Sequence, residues 1–250
     1  MSKLKRFLIL PEEREGDKIV VTGSEFHHIV NVMRFSVGDR AILGVGDGVD
    51  LLARVHEILK DKVIFRIEEE RPNPAEPRLQ LSAYLALLKS DHLEFAVQKL
   101  SELGLRSVTP FVSEHTVAKG VRADRLVKIA RESAKQCERS GILQIRETLS
   151  FDRVLRELPL HEAALFCCEF ERATGIRQAL NALPEGLTRL AVIIGPEGGF
   201  SEKEKEEAVR AGAVSVSLGP RILRAETAAV AACTCVMYRF GEMEGAAEVL

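Results

Sequence analysis

Two periodicities divide the chain. Residues 6–10, 18–22, 40–43, 49–58 and 62–67 are short apolar, β-like runs of the kind that form strands. Residues 24–34 have helical spacing instead, Gly38, Gly44, Gly46 and Gly48 supply turns, and "GDG" at 46–48 is a hairpin signal. This pattern predicts a small β-barrel over residues 1–70. The segment "EERPNPAEPR", residues 69–78, holds three of the nine prolines and reads as a linker, because proline suits neither a helix interior nor a central strand. Beyond it, apolar runs at 79–88, 107–111, 142–148, 163–168, 190–194 and 214–217 alternate with helical stretches at 91–103, 122–139, 151–158, 176–183, 201–211 and 224–240. Strand and helix repeated in this way predict an α/β fold, a mainly parallel sheet covered on both faces. Ligands gather at the carboxyl ends of such strands, here followed by "LLKSDH", "CCEFER", "GPEGG" and "LGPRILRAET".

The loop in "VIIGPEGGFSEKEKEEA", residues 192–208, fails as a phosphate site. A phosphate loop needs a lysine and a hydroxyl after its last glycine, whereas Gly199 is followed by Phe200, Ser201 and Glu202. A dinucleotide fingerprint spaces its glycines differently from Gly195, Gly198 and Gly199, and Glu197 stands where an anion would approach. A neutral or cationic ligand fits better. The plainer reading is a tight strand-to-helix turn with Ser201 as N-cap and Glu204 completing a capping box. In "SLGPRILRAETAAVAA", residues 217–232, Arg221, Arg224, Glu226 and Thr227 precede or open a helix of small residues suited to close packing against helices or a second subunit. Arg224 and Glu226 carry chemistry, or they pair with each other or stabilise the helix terminus.

Composition narrows the classes. The net charge of −2 gives no global sign of nucleic-acid binding, so such binding needs a local patch. Residues 121–137 form an amphipathic helix, with Leu126, Ile129, Ala130, Ser133, Ala134 and Cys137 on one face. Lys128, Arg131, Lys135 and Arg139 lie opposite, as a basic stripe or an ordinary solvated surface. The five cysteines, at 137, 167, 168, 233 and 235, include no Cys-x-x-Cys pair, and the six histidines show no ligand spacing, so no metal is expected. No apolar run of about eighteen residues is present, so no membrane span is expected. The apolar run at residues 7–10 is too short for a signal peptide, and a cytoplasmic protein is expected.

The two C-terminal motifs, "IIGPEGGFSEKE" and "VSLGPRILRAETAAVAA", closely resemble those of the RsmE family. These are ribosomal RNA small-subunit methyltransferases of the SPOUT superfamily, which methylate N3 of a uridine. "KSDHLEFAVQKLSELGLRSVTPFVSEHTV" (89–117), "AKQCERSGILQI" (134–145, with Lys135 in place of the usual acid) and "FHHIVNVMRFSVGD" (26–39, with Met33 where leucine is common) extend the resemblance over nearly the full chain.

The resemblance implies a PUA-like RNA-binding barrel over residues 1–70, a linker at 71–78 and a SPOUT α/β domain over 79–250, with a trefoil knot within about 163–240. It implies S-adenosyl-L-methionine as the cofactor, held by Cys167, Cys168, Glu169 and Phe170, by Gly195, Pro196, Glu197, Gly198 and Gly199, and by Leu218, Gly219, Arg221, Ile222, Leu223 and Thr227. This phosphate-free cation suits a loop that lacks lysine and carries Glu197. In-line methyl transfer demands loss of the imide proton. Arg224 is the candidate to stabilise negative charge on the uracil carbonyls or hold a phosphate, with Glu226 orienting it and Glu197 a weaker candidate base. With no tryptophan and 5% aromatics, stacking platforms are scarce, so phosphate contacts should dominate, from Arg6, Arg34, Lys89, Arg131, Arg139 and Arg221. The implied partners are 16S ribosomal RNA in an assembled small subunit and a second copy in a homodimer. Two rivals are a non-catalytic ribosome-assembly factor of the same fold and an ordinary α/β oxidoreductase or hydrolase, the latter lacking a phosphate loop and a catalytic triad.

Overall fold

The computed structural model describes residues 4–9, 13–118 and 120–244. The chain forms two compact units. One runs up to Glu76 and takes in Ala134–Ile142; the other comprises Pro77–Ser133 and the chain from Leu143 onward.

The first unit is a six-stranded sheet: β1 (Lys5–Leu8), β2 (Arg14–Glu15), β3 (Lys18–Thr22), β4 (Arg40–Gly44), β5 (Val49–Ile58) and β6 (Lys62–Pro72). Its order is β1-β4-β5-β6-β3-β2, parallel at β1–β4 and antiparallel elsewhere, and the ladder is an open path rather than a closed barrel among the described residues. Alternate inward positions, among them Ile19, Val21, Leu43, Leu51, Val55, Val63 and Phe65, build its core.

Three expectations change here. Residues 24–34 are not one helix: α1 (Gly23–His27) passes into a π-turn (His28–Val32), and Arg34 adopts φ 57, left-handed backbone that no helix can continue through. The proline-rich segment is not wholly linker, because β6 continues to Pro72, which pairs with Val49. Beyond Arg66, β6 has lost its β3 neighbour, so Pro72 lies on a one-sided stretch where a missing N–H is tolerated. The basic helical face does not extend to Arg139. The helix α3 (Ala123–Gln136) ends at Gln136, and Glu138 at φ 62 turns the chain.

That turn brings Arg139 and Ser140 into a buried polar cluster. Arg6 donates to Asp50 Oδ2 at 2.8 Å and to Ser140 Oγ at 2.9 Å. Arg139 Nη2 donates to Glu76 Oε2 at 2.8 Å, and Asn73 Nδ2 donates to the Glu138 carbonyl at 2.9 Å. Arg139 is 5% exposed and serves folding rather than a solvent-facing RNA surface, while Arg6, 19% exposed at its side chain, is committed to Asp50, itself 1% exposed; neither is the free surface cation expected. Lys135 likewise pairs with Glu25.

The second unit is a parallel sheet of seven strands: β7 (Gln80–Ala86), β8 (Ser107–Val112), β9 (Gln144–Ile145), β10 (Leu149–Ser150), β11 (Ala163–Cys167), β12 (Arg189–Ile194) and β13 (Val214–Val216). The order is β10-β8-β7-β12-β11-β13, with β9 also on β8. The run at 142–148, expected as one strand, yields only the two-residue β9, and β10 begins after it. The helices are α2 (Ser90–Glu102), α3, α4 (Phe151–Glu157), α5 (Ile176–Ala182), α6 (Glu202–Arg210) and α7 (Ala225–Arg239), within a residue or a few of the periodicity. The central strands β7 and β12 are buried at every position after their first residue, as a sheet covered on both faces requires. The small residues Ala225, Ala229, Ala232 and Cys233 form the buried face of α7, which packs on α2, α5, β7 and β12.

Candidate functional site

Three loops at the carboxyl ends of β11, β12 and β13 converge on one cavity of about 690 Å³. Its wall includes Cys167, Cys168 and Glu169; Gly195, Pro196, Glu197, Gly198 and Gly199; and Leu218, Gly219, Arg221, Ile222, Leu223, Arg224 and Glu226. Adjacent parallel strands bring these sequence-distant loops together: Cys167 is level with Ile194 on one side and Val216 on the other.

The β12–α6 loop is shaped by its own packing. Ser201 caps α6, accepting from Glu204 N, while Glu204 reaches back to Ser201 N at 2.9 Å, so the expected capping box is present. Phe200 is pulled into the core, its ring 4.1 Å from that of Phe166. A Cβ on Gly195 would stand 2.8 Å from that ring, and one on Gly198 2.9 Å from His115 Cβ. Gly199, at φ +71, has the Glu169 carboxylate against it. Packing within the protein therefore requires glycine at Gly195 and Gly198, and the positive φ of Gly199 favours it there.

Electrostatically, the cavity mixes signs. Glu169, Glu197 and Glu226 face it together with Arg172, Arg221 and Arg224. Glu226 is 8% exposed, and its Oε2 has no hydrogen-bond partner. Arg224, the N-cap residue of α7, is exposed and makes no ion pair with Glu226 among the described residues, so the expected Arg224–Glu226 orientation is absent. Glu226 faces His92 instead, with Oε2 3.8 Å from Nδ1. Burial raises the Cys167 and Cys168 thiols above their ordinary range, so these wall residues are neutral rather than nucleophilic.

Sequence reasoning missed His92. It lies in the "LLKSDH" loop-to-helix segment after β7, whose position at a strand's carboxyl end was the available signal. Conversely, Phe170 and Thr227 are not on the cavity wall: Phe170 packs towards the core beneath Lys205, and Thr227 is exposed on α7. Of the basic candidates, Arg34, Lys89 and Arg221 are exposed, while Arg131 is half-buried. Lys89 is close to the cavity, its backbone N–H donating to Glu197 Oε1 at 3.3 Å.

Behind the Cys168 loop, Glu171 accepts from Ala173 N at 2.7 Å and from Thr174 N at 3.3 Å, and pairs with Lys205 at 3.1 Å. The Ala173 backbone bond, foremost among these contacts, outweighs burial and lowers the carboxyl pKa from 4.5 to about 2. A depressed acid stabilises the fold above its unfolded pKa and ceases to as pH falls through the folded value. The wild type's advantage in thermal midpoint over Glu171→Gln should therefore grow as pH rises from about 2 to about 5. Equal advantages at both ends would contradict this assignment.

The matches to known proteins follow the same geometry. The RNA methyltransferase domain family matches residues 75–237, and the RNA methyltransferase PUA domain family matches residues 21–68. The Bacillus subtilis protein named ribosomal RNA small subunit methyltransferase E is 33% identical over 242 residues, covering 92% of this chain and 94% of the relative. This chain belongs to that methyltransferase family. The Rickettsia conorii relative of the same name is 29% identical over 233 residues, covering 92% of this chain and 93% of its own. A crystal structure of ribosomal RNA small subunit methyltransferase E from Neisseria gonorrhoeae, bound to S-adenosyl methionine, superposes with a TM-score of 0.78 at 26% identity. It covers 94% of this chain and 98% of that one. The methyltransferase match contains the whole converged cavity, and the PUA match lies within the first unit.

Proposed function

We propose that this protein transfers a methyl group from S-adenosyl-L-methionine to N3 of a uridine in 16S ribosomal RNA of the small subunit. The family supports methylation of small-subunit ribosomal RNA with that donor. The observation that carries the reading is the convergence of the Cys167, Gly195 and Leu218 loops on one cavity without a phosphate loop.

The residues present fit such a donor. A cationic ligand meets negative charge on the wall from Glu169 and Glu197. Cys167, Cys168, Gly195, Pro196, Leu218 and Leu223 offer the apolar and backbone wall for a neutral adenosine. When bound, the sulfonium supplies an electrophilic methyl group. Arg224, exposed at the cavity wall, stabilises negative charge on the acceptor's carbonyl oxygens or grips a flanking phosphate.

RNA is held through phosphates by Arg34, Lys89 and Arg221, all exposed. RNA affinity should accordingly fall steeply between about 50 and 200 mM salt; a flat response would remove this role. The exposed Ile222, at 86%, and Tyr238 on α7, at 71%, suit a homodimer interface, checked by sedimentation equilibrium. The proposed fold includes a trefoil knot in residues 163–240, and the packing of α7 against the sheet centre, at β7 and β12, suits such a crossing. Stretching the chain from its ends would leave it shorter than about 3.3–3.6 Å per residue if knotted. Activity on assembled small subunits implies a cytoplasmic protein. No helix among the described residues is long and apolar enough to cross a membrane.

The deciding experiment is mass spectrometry of 16S ribosomal RNA from cells with and without this protein, followed by methylation of the unmodified subunits with the purified protein. A single N3-methyluridine that disappears in its absence and returns in vitro is expected. Identical RNA in both strains, with no transfer in vitro, would leave an assembly role.

A further inference from the structure

His92 lies in the first turn of α2 and enters the cavity wall beside the carboxylates. Its Nδ1 is 3.5 Å from Glu197 Oε1, in the loop after β12, and 3.8 Å from Glu226 Oε2, on α7. Its Nε2 is 3.8 Å from Asp91 Oδ2, a neighbour on its own helix. Neither His92 Nδ1 nor Glu226 Oε2 has a hydrogen-bond partner, although both atoms are buried. Two complementary groups left unpaired against each other at a cavity wall are costly unless they are used.

We propose that His92, backed by Glu226, is the proton acceptor of the methyl transfer. This rests on the uridine-N3 reading, which requires an N–H to be broken. An imidazole takes up and releases protons through two ring nitrogens, so one can be held by a carboxylate while the other accepts. A small rotation closes the 3.8 Å gap, so that His92 Nδ1–H donates to Glu226 Oε2, which fixes the tautomer and leaves the Nε2 lone pair free. Such contacts are commonly long before substrate binds and shorten in the complex.

The acceptor N–H bond breaks, its proton goes to His92 Nε2, and the nitrogen pair forms the bond to the methyl carbon. The carbon–sulfur bond breaks with its pair remaining on sulfur, which becomes a neutral thioether. Glu226 and Glu197 stabilise the imidazolium until its proton passes to water, while Arg224 provides the cation for the uracil oxygens.

The test compares wild type, His92→Gln and Glu226→Gln, using unmodified small subunits as substrate, a pH–rate profile and calorimetry with S-adenosyl-L-methionine. His92→Gln should bind the donor within about threefold of wild type while its kcat falls by about 10²-fold or more, and the acid limb of the profile should vanish. Glu226→Gln should keep that limb but move it to lower pH, because the charge favouring the imidazolium is gone. Retained donor binding also shows that the variant is folded. Wild-type kcat and an unchanged limb in His92→Gln would overturn the proposal, as would activity lost only in proportion to donor binding. Failure of the uridine reading would show in the wild-type product, whereas failure of this proposal would show in a variant that makes the same product at the wild-type rate.

Discussion

Arg224→Ala is expected to lower kcat by about 10²–10³-fold, equivalent to roughly 2.7–4 kcal/mol of transition-state stabilisation, with little change in donor affinity. Arg224 faces the cavity from the N-cap of α7, where its carbonyl accepts from Ala228 N at 2.8 Å and holds the start of the helix in place. That backbone bond survives truncation of the side chain, so the substitution removes charge and leaves the local fold intact. Among the described residues no carboxylate neutralises the guanidinium, which leaves it available to an anionic acceptor. Arg224→Lys should recover only part of the rate, since an ammonium cannot span two oxygens as a planar fork does. Steady-state kinetics together with calorimetry of the donor provide the check. An alanine variant with the normal rate would eliminate Arg224 from the reaction.

Arg6→Ala is expected to destabilise the first unit by about 3–5 kcal/mol, the cost of leaving a buried charge without its partner. Asp50 is 1% exposed and relies on Arg6, with Ser140 Oγ completing the bond at 2.6 Å. Burial alone would raise the Asp50 pKa, but the hydrogen bonds from Arg6 and Ser140 and the charges of Arg6 and Arg71 overcome it and hold the carboxyl below its ordinary value. The stabilisation is thus present above the unfolded carboxyl pKa and is lost as pH falls through the lower folded one. Denaturant unfolding at neutral pH should show the loss. Replacing Arg6 and Asp50 together by apolar residues of similar volume should restore much of it, because no orphan charge then remains. Normal stability in Arg6→Ala with weakened RNA affinity would return Arg6 to the RNA surface.

These two arginines show where a linear reading succeeds and where it stops. Arg224 was legible because its neighbours are: the strand β13, the turn at Gly219 and the small-residue helix all follow from local pattern, so the position of Arg224 at a strand's carboxyl end follows too. Arg6 and Arg139 looked like solvent-exposed cations because their partners are remote. Asp50 lies 44 residues from Arg6 and Glu76 lies 63 from Arg139, and no local periodicity reports such pairings. Phe200 is a similar case. The reason for Gly195 is the ring of Phe200, and that ring's position depends on Phe166 from another strand.

By itself the sequence determined the alternation of strands and helices in the second unit, the capping of α6 by Ser201 and Glu204, and the three loops that form the cavity. Each of these depends on residues within a turn or two of one another, where hydrophobic period, capping chemistry and glycine geometry act directly. Only the tertiary structure decided that Ala134–Ile142 belongs with the first unit, that Glu226 faces His92 rather than Arg224, and that Arg6 pairs with buried Asp50 and buried Arg139 with Glu76. Those outcomes arise from burial and charge pairing between segments far apart in the chain, and only folding defines the distances and desolvation that govern them.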